Sequence, residues 1–476
     1  QIERDEGMSA NGFKLVPIAF LFFSALVLFS TGAAASSITP FSSDFAGGSG
    51  TEDDPYIITT PAQLNNVRFH LDSHFKLGAD IDLFHYSDGE GWEPIASGFN
   101  TSHPETLFTG SFDGNGFTIS NLVIDREELC QGLFAAVGEE GEIRNVHLEG
   151  VMINGSSCVG SLVGLNYGVI ENASANFGSV QGDDFVGGLV GRHSGELAGS
   201  HAHILVNGVE SVGGLVGLLN GLNDKTVSIR DSYASGDVDG AIFVGGLIGR
   251  NETDNKDSVN VITNSYAEGN VTGDSQVGGF IGSNSVNPGG STIRIRNSYA
   301  TGNVTGYEQT GGFIGYNRSS SVLNTLEIVQ NYATGKVSGK GGSVDTIHGF
   351  IGEHNMHKDS ESIVENNLWV KDHYSDPLPD NGFGTPVTLA ELYDPDTFSD
   401  WDFSGGWYHY EGEMPFHDWQ NPLISWNISI EKDRLTLDDS TRIIVETEHQ
   451  NGDQYDGVRS ARYTIDPEIV HIDQDG

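Results

Sequence analysis

The chain has 476 residues, with 66 acidic against 23 basic side chains and a formal charge of −43. That charge excludes a nucleic-acid footprint, and self-repulsion of this size calls for screening salt, as in a halophilic source. An acidic secreted protein of moderate salt habitat, or one that binds structural Ca2+ through its surface, fits the same balance. Glycine, at 64 residues, is about twice its usual share, and hydrophobic content is near the low end for a globular chain. A fold with many corners and a thin core satisfies both.

Residues 1–36 read as targeting sequence, with Met8 as the start. Lys14 supplies a positive flank, Leu15–Ser30 is apolar, and Ala33–Ala35 is a small-residue cleavage site. An uncleaved anchor is the alternative, and either one puts the rest of the chain outside the cytoplasm. Residues 37–50 are a Ser/Gly-rich linker. Residues 51–130 form an N-terminal cap and the first coils. Thr60 followed by Pro61 signals a helix start. Leu64, Val67 and Leu71 share one face of that helix, which ends near Ser73 and covers the open edge of the first coil. Phe75–Leu83 reads as one strand.

Residues 131–355 repeat themselves. Asp231-Ser-Tyr-Ala returns as Asn264-Ser-Tyr-Ala and Asn297-Ser-Tyr-Ala, so that Tyr233, Tyr266, Tyr299 and Tyr332 are each 33 residues apart. Between them stand Val244-Gly-Gly-Leu-Ile-Gly249, Val277-Gly-Gly-Phe-Ile-Gly282 and Thr310-Gly-Gly-Phe-Ile-Gly315. Weaker copies precede them at Gly132, Val159, Val186 and Val212, and Gly349-Phe-Ile-Gly352 closes the array. A fixed period of this size marks a stacked architecture. Three glycines in six residues exclude a helix interior, at about 1 kcal/mol each, but suit short strands with tight corners. One unit has too little core to fold alone, whereas stacked units share one. The fold class is therefore all-β, a right-handed parallel β-solenoid, with Phe280 over Phe313 and Tyr266 over Tyr299 at about 4.8 Å. Its repeat core is Tyr233, Leu247, Tyr266, Phe280, Tyr299, Phe313 and Tyr332.

The recurring Gly-Leu-x-Gly pattern resembles the GLUG-repeat family of bacterial and archaeal surface proteins. The stretch through Phe108–Leu122 is similar to the segment that precedes such repeats in IgA-specific metallopeptidases and adhesin-like proteins. The Trp and Phe spacing of 356–426 resembles the element that closes these arrays, and implies an aromatic C-terminal lid over the blunt end of the solenoid. From Asn427 to Gly476, alternating polar and apolar runs look like the opening of a bacterial Ig-like sandwich, of which about half is present.

Cys130 and Cys158 stand before consecutive Gly-Leu signatures. Adjacent coils would permit a disulfide. Their offsets from Leu133 and Leu162 differ by one residue, however, which points them to opposite faces and leaves two buried free thiols as the equal alternative. Sequons at Asn100, Asn154, Asn172, Asn251, Asn270, Asn303, Asn317 and Asn427 are candidate glycan sites, although Asn and Thr also serve solenoid corners. His348, His354 and His357 are the best metal candidates, and read as exposed loop histidines. The sequence has no His-Glu-x-x-His, so the peptidase likeness carries no zinc chemistry with it. No catalytic, cofactor or metal residue is assigned.

The expected function is a secreted, cell-surface solenoid with an adhesive or structural role, binding an extracellular glycan or surface protein and no nucleic acid. It would touch membrane only through the targeting segment or an anchor elsewhere. A polysaccharide-degrading enzyme on the same fold, and the non-catalytic N-terminal region of a longer surface peptidase, are the alternatives.

Overall fold

The computed structural model describes residues 44–420, except 223, 342–345, 375–377, 380 and 410–412, together with the strand pair Ser425–Ile430 and Ile443–Glu448. The targeting segment, most of the linker and the remainder of the Ig-like stretch lie outside the described residues. No described helix is long and apolar enough to cross a membrane.

Each coil visits four parallel sheets. In one unit Val259–Thr263 enters sheet I, Tyr266–Ala267 and Val271–Thr272 enter sheet II, Ser275–Gly278 enters sheet III, and Ile281–Val286 enters sheet IV. Every strand pairs in parallel with its equivalent one coil on. The four sheets hold 11, 16, 7 and 8 strands among the described residues. The expected register is present: Tyr266 and Tyr299 are ladder partners with parallel rings 4.8 Å apart, and Phe280 stacks on Phe313 at 4.7 Å.

The period is constant only in the middle. Equivalent residues are 27 apart in the early coils, 32 at the next, 33 through three coils and 36 at the last. The lumen is filled by columns of large apolar residues. Leu162, Leu189, Leu215, Leu247, Phe280, Phe313 and Phe350 form one such column, and all are fully buried. Burying each contributes about 1.5–3 kcal/mol.

The tyrosines are not in that lumen. In the two-residue strand Tyr266–Ala267, Ala267 joins the main core and Tyr266 joins a separate cluster with Trp401, Trp407, Leu392 and Phe398. Successive strand residues face opposite sides, and here the small one points in. Tyr233, Tyr266, Tyr299 and Tyr332 are thus an outward column on sheet II. The repeat-core assignment is corrected for these four, while Leu247, Phe280 and Phe313 do line the lumen.

Corners and glycines divide their tasks differently from the expectation. Left-handed corners are made by Asp231, Asn264 and Asn297, with φ of 52°, 51° and 50°. Asn and Asp tolerate that conformation through local hydrogen bonding. The glycines instead permit close approach. A Cβ on Gly279 would fall onto the carbonyl oxygen of Gly312 in the next coil.

At the N-terminal end the helix is shorter than expected. It spans Pro61–Asn66, continues as a 3-10 turn Val67–Phe69, and is capped by Thr60. Leu64 and Val67 are buried against the first coil. The stretch Phe75–Leu83 is two strands, not one: His74–Leu77 belongs to sheet I and Ile81–Asp82 to sheet II. The break falls at Gly78, where a Cβ would collide with Ile57.

The C-terminal lid is in two parts. The blunt end is closed by Leu368–Val370 and Thr385–Val387, which extend sheet II, with Trp369, Leu378 and Phe383 against the last coil. The aromatic element from Leu392 to Gln420 does not cover that end. It runs along the flank over the tyrosine column. Tyr332 donates its hydroxyl to Pro415 O (2.8 Å), His417 Nε2 meets Asn297 O (2.7 Å), and Trp419 Nε1 donates to Asn264 O (3.0 Å). Beyond it, Ser425–Ile430 pairs with Ile443–Glu448 in antiparallel fashion.

Candidate functional site

The flank of sheet II changes character along the solenoid. Over the later coils it is covered by the aromatic element. Over the early coils it is open and apolar. Met152 and Leu205 both lie opposite Ser179 on the two neighbouring strands. Met152 is 62% exposed, Leu205 52%, Phe177 65% and Phe84 62%.

Local sequence explains why Phe177 stands out. The strand Ser174–Gln181 carries a register shift between Asn176 and Ser179. Phe177 is left-handed there, with φ of 60°, and Gly178 follows at 139°. A Cβ on Gly178 would meet the carbonyl of Val151, so the bulge requires glycine at that place. The bulge re-aims the Phe177 ring outward, edge-on to His203 at 6.2 Å. Phe84, Val123, Met152 and Phe177 then line a surface cavity of about 420 Å³, with Asn121 and Ser87 at its margin. Its volume lies in the range of small-ligand sites. Its lining carries no titratable side chain, so it can hold an apolar group but not activate one. The sequence reading missed this site, because bulge placement depends on pairing two coils whose repeats are the weakest.

The sequence-assigned residues fall elsewhere. Asn251 and Asn317 are fully buried. Asn251 Nδ2 donates to Asn284 Oδ1 (2.9 Å), Asn284 Nδ2 to Asn317 Oδ1 (2.8 Å), and Asn317 Nδ2 meets His354 Nδ1 (3.3 Å). These two sequons are corrected as glycan sites, because an amide buried in this polar column offers no room for a sugar. Asn270 and Asn303 are exposed corner residues whose amides donate along a surface column to Asp237 (3.0 Å) and Asn270 (3.2 Å). Asn154 and Asn172 are exposed and donate to Asp125 and Asn145. Asn100 lies in an exposed turn. The side chain of Asn427 lies outside the described residues.

Of the three histidines, His357 lies in a loop and the other two do not. His348 and His354 lie in strands, His348 is buried, and His354 and His357 are half-buried. His354 closes the asparagine column, and burial lowers its pKa to about 4. His348 Nδ1 meets Pro379 O at 2.7 Å. Cys130 and Cys158 are buried free thiols within one small apolar cluster. The described residues contain no group of three metal-ligating side chains.

The fold defines a class: a parallel β-solenoid of stacked glycine-rich coils. Comparison with known proteins gives relatives of two kinds. The chain is 38% identical over 221 residues to a candidate Gly-rich membrane protein of Evansella cellulosilytica, an alignment covering 44% of this chain and 24% of that one. It is 38% identical over 154 residues to halomucin of Haloquadratum walsbyi, covering 30% of this chain and 2% of that one. The chain therefore matches only a small part of each relative's length. No family model matches it. Among solved structures, a candidate immunoglobulin A1 protease from Bacteroides ovatus aligns with 79% of this chain and 96% of its own, at 22% identity and a TM-score of 0.40. Nothing about activity follows from a likeness at that level.

Proposed function

We propose that this chain is the solenoid part of a secreted, cell-envelope protein with an adhesive or structural role and no catalysis of its own. On this reading its Gly-Leu-x-Gly units are GLUG repeats. The observation that carries the reading is the open apolar flank of the early coils, where Phe84, Met152 and Phe177 surround a cavity on an otherwise acidic chain. Contiguous exposed apolar surface marks interaction sites. Such a surface takes the apolar face of a sugar ring or an apolar side chain of a surface protein. Two further points support it. Two relatives are named as a Gly-rich membrane protein and a halomucin. The charge of −43 suits a salt-rich exterior, where screening relieves self-repulsion.

The test is binding of the purified chain to a glycan array and to whole cells in high salt, beside the double variant Phe177→Ser, Met152→Ser. Binding by the native chain that falls at least tenfold in the variant supports adhesion through this flank. No binding by the native chain to any glycan or cell removes the adhesive role and leaves a spacer. New reducing or unsaturated ends on an acidic polysaccharide would replace both with an enzyme.

A further inference from the structure

The chain has two cysteines, and they occupy successive rungs of one column. Gln131 and Val159 are parallel bridge partners. Cys130 N donates to Ser157 O (2.9 Å), and Gln131 N donates to Cys158 O (3.1 Å). Cys130 and Cys158 are therefore side by side on adjacent coils. Both are left-handed, with φ of 60° and 63°, so both side chains leave the backbone in the same direction. Both enter one small cluster with Leu107, Ala136 and Leu165, where Cys158 Sγ donates to Gly164 O (3.1 Å).

The one-residue offset that argued for opposite faces is absorbed later. Leu133 N donates to Ser161 O and Phe134 N to Leu162 O, so the extra residue falls after the bridge and leaves the cysteine rung in register. The same column continues through Phe185, Ser211, Phe243, Gln276 and Gln309, all left-handed. Its chemistry otherwise varies freely, from aromatic to hydroxyl to amide.

We propose that Cys130 and Cys158 form a disulfide that staples these two early coils together. Adjacent rungs place Cα atoms about 4.8 Å apart, within the disulfide range of about 4.4–6.8 Å. The step is thiol–disulfide exchange. One thiolate attacks an external disulfide, such as oxidised glutathione or the active-site disulfide of an oxidoreductase. The second thiolate then displaces the external thiol. Two protein thiols and one external disulfide become one protein disulfide and two external thiols, and the electron pair passes to the external sulfurs. Burial and the neighbouring thiol raise the pKa of Cys158 well above its ordinary value, so few thiolates form in the closed coil. The bond is made while the coils assemble.

The experiment is refolding of the full chain from denaturant, in high salt, across a series of oxidised-to-reduced glutathione ratios. Thiols are counted after an acid quench, and peptides are mapped without reductant. Under oxidising conditions both thiols should disappear together, in one intramolecular peptide pair spanning Cys130 and Cys158. Cys130→Ser and Cys158→Ser should each leave the other thiol free. The oxidised chain should melt about 2–5 °C above the reduced one. A refolded chain that keeps both thiols titratable at every ratio overturns the proposal. So does one that yields only glutathione adducts or cross-linked dimers.

Discussion

Trp419 donates its indole N–H to the carbonyl oxygen of Asn264, 155 residues earlier, at 3.0 Å. Its ring also lies 5.6 Å from that of Tyr266 and 6.1 Å from that of Tyr233. The flank element thus crosses the rungs rather than extending them: Pro415 O accepts from Tyr332, while His417 and Trp419 bond to the carbonyl oxygens of Asn297 and Asn264 on the two coils before it. This covers tyrosines that the short strands must point outward. It also leaves the early coils, which the described part of the element does not reach, as the open apolar face.

Trp407 is fully enclosed between Tyr299, Tyr332 and His417. Trp407→Ala should cost about 3–5 kcal/mol of the element's attachment. The expected signature is loss of near-ultraviolet circular dichroism and rapid proteolysis between residues 388 and 420. The far-ultraviolet strand signal should be unchanged, because the lumen is untouched. Trp419→Phe keeps a smaller aromatic ring and loses one hydrogen bond, at about 1 kcal/mol, so it should cost less than Trp407→Ala.

The buried asparagine column makes a different prediction. Asn284→Ala removes the acceptor for Asn251 and the donor to Asn317 at once. Each orphaned buried group costs about 1–3 kcal/mol, so chemical denaturation should show a loss of about 2–6 kcal/mol. Asn270→Ala on the exposed column leaves partners that water can satisfy, and should stay within about 1 kcal/mol.

Glycine substitutions separate steric need from conformational need. Gly279→Ala places a methyl on the Gly312 carbonyl, and the neighbouring coil must shift to admit it. Gly89 has φ of 67° with nothing within 4 Å of an added Cβ, so alanine there costs only its left-handed conformation, about 1–2 kcal/mol. The expected outcome is misfolding or insolubility for Gly279→Ala and a soluble, slightly weakened chain for Gly89→Ala, read by soluble yield and melting temperature.

Acid should loosen the flank and the coils over one pH range. Burial lowers the pKa of His417 from 6.5 to about 4, against the raising effect of its bond to Asn297 O. The folded pKa lies below the unfolded one, so this contribution to stability is complete above pH 6.5 and is lost as pH falls toward 4. Its size is on the order of 3 kcal/mol. Tryptophan fluorescence between pH 7.5 and 4 should report release of the element, and His417→Asn should remove the transition from that window. His193, lowered to about 4 by burial in the coil itself, adds a loss over the same range that circular dichroism would register.

The 33-residue period announced the coil, its register and the Phe280 to Phe313 stack, because a stacked fold repeats in space what the chain repeats in sequence. The facing of Tyr266 was not legible. In a two-residue strand either neighbour can point inward, and it is the alanine that does so, at Ala267 as at Ala175 and Ala202 in the early coils. The split between Asn corners and close-approach glycines was equally hidden, since both residue types suit turns. The apolar cavity depends on a bulge at Phe177 and Gly178, in coils whose copies are least alike. Cysteine register depended on where one extra residue is absorbed, which spacing alone does not locate.

The flank element also acts as a tally. Its contacts fall on fixed neighbours, Pro415 on Tyr332, His417 on Asn297 and Trp419 on Asn264. A unit gained or lost by tandem duplication within that span would put every contact out of step. The same event among the early coils, beyond the reach of Trp419, would simply lengthen the stack by about 4.8 Å. Lineages that vary this protein's length should therefore do so toward its N-terminal end.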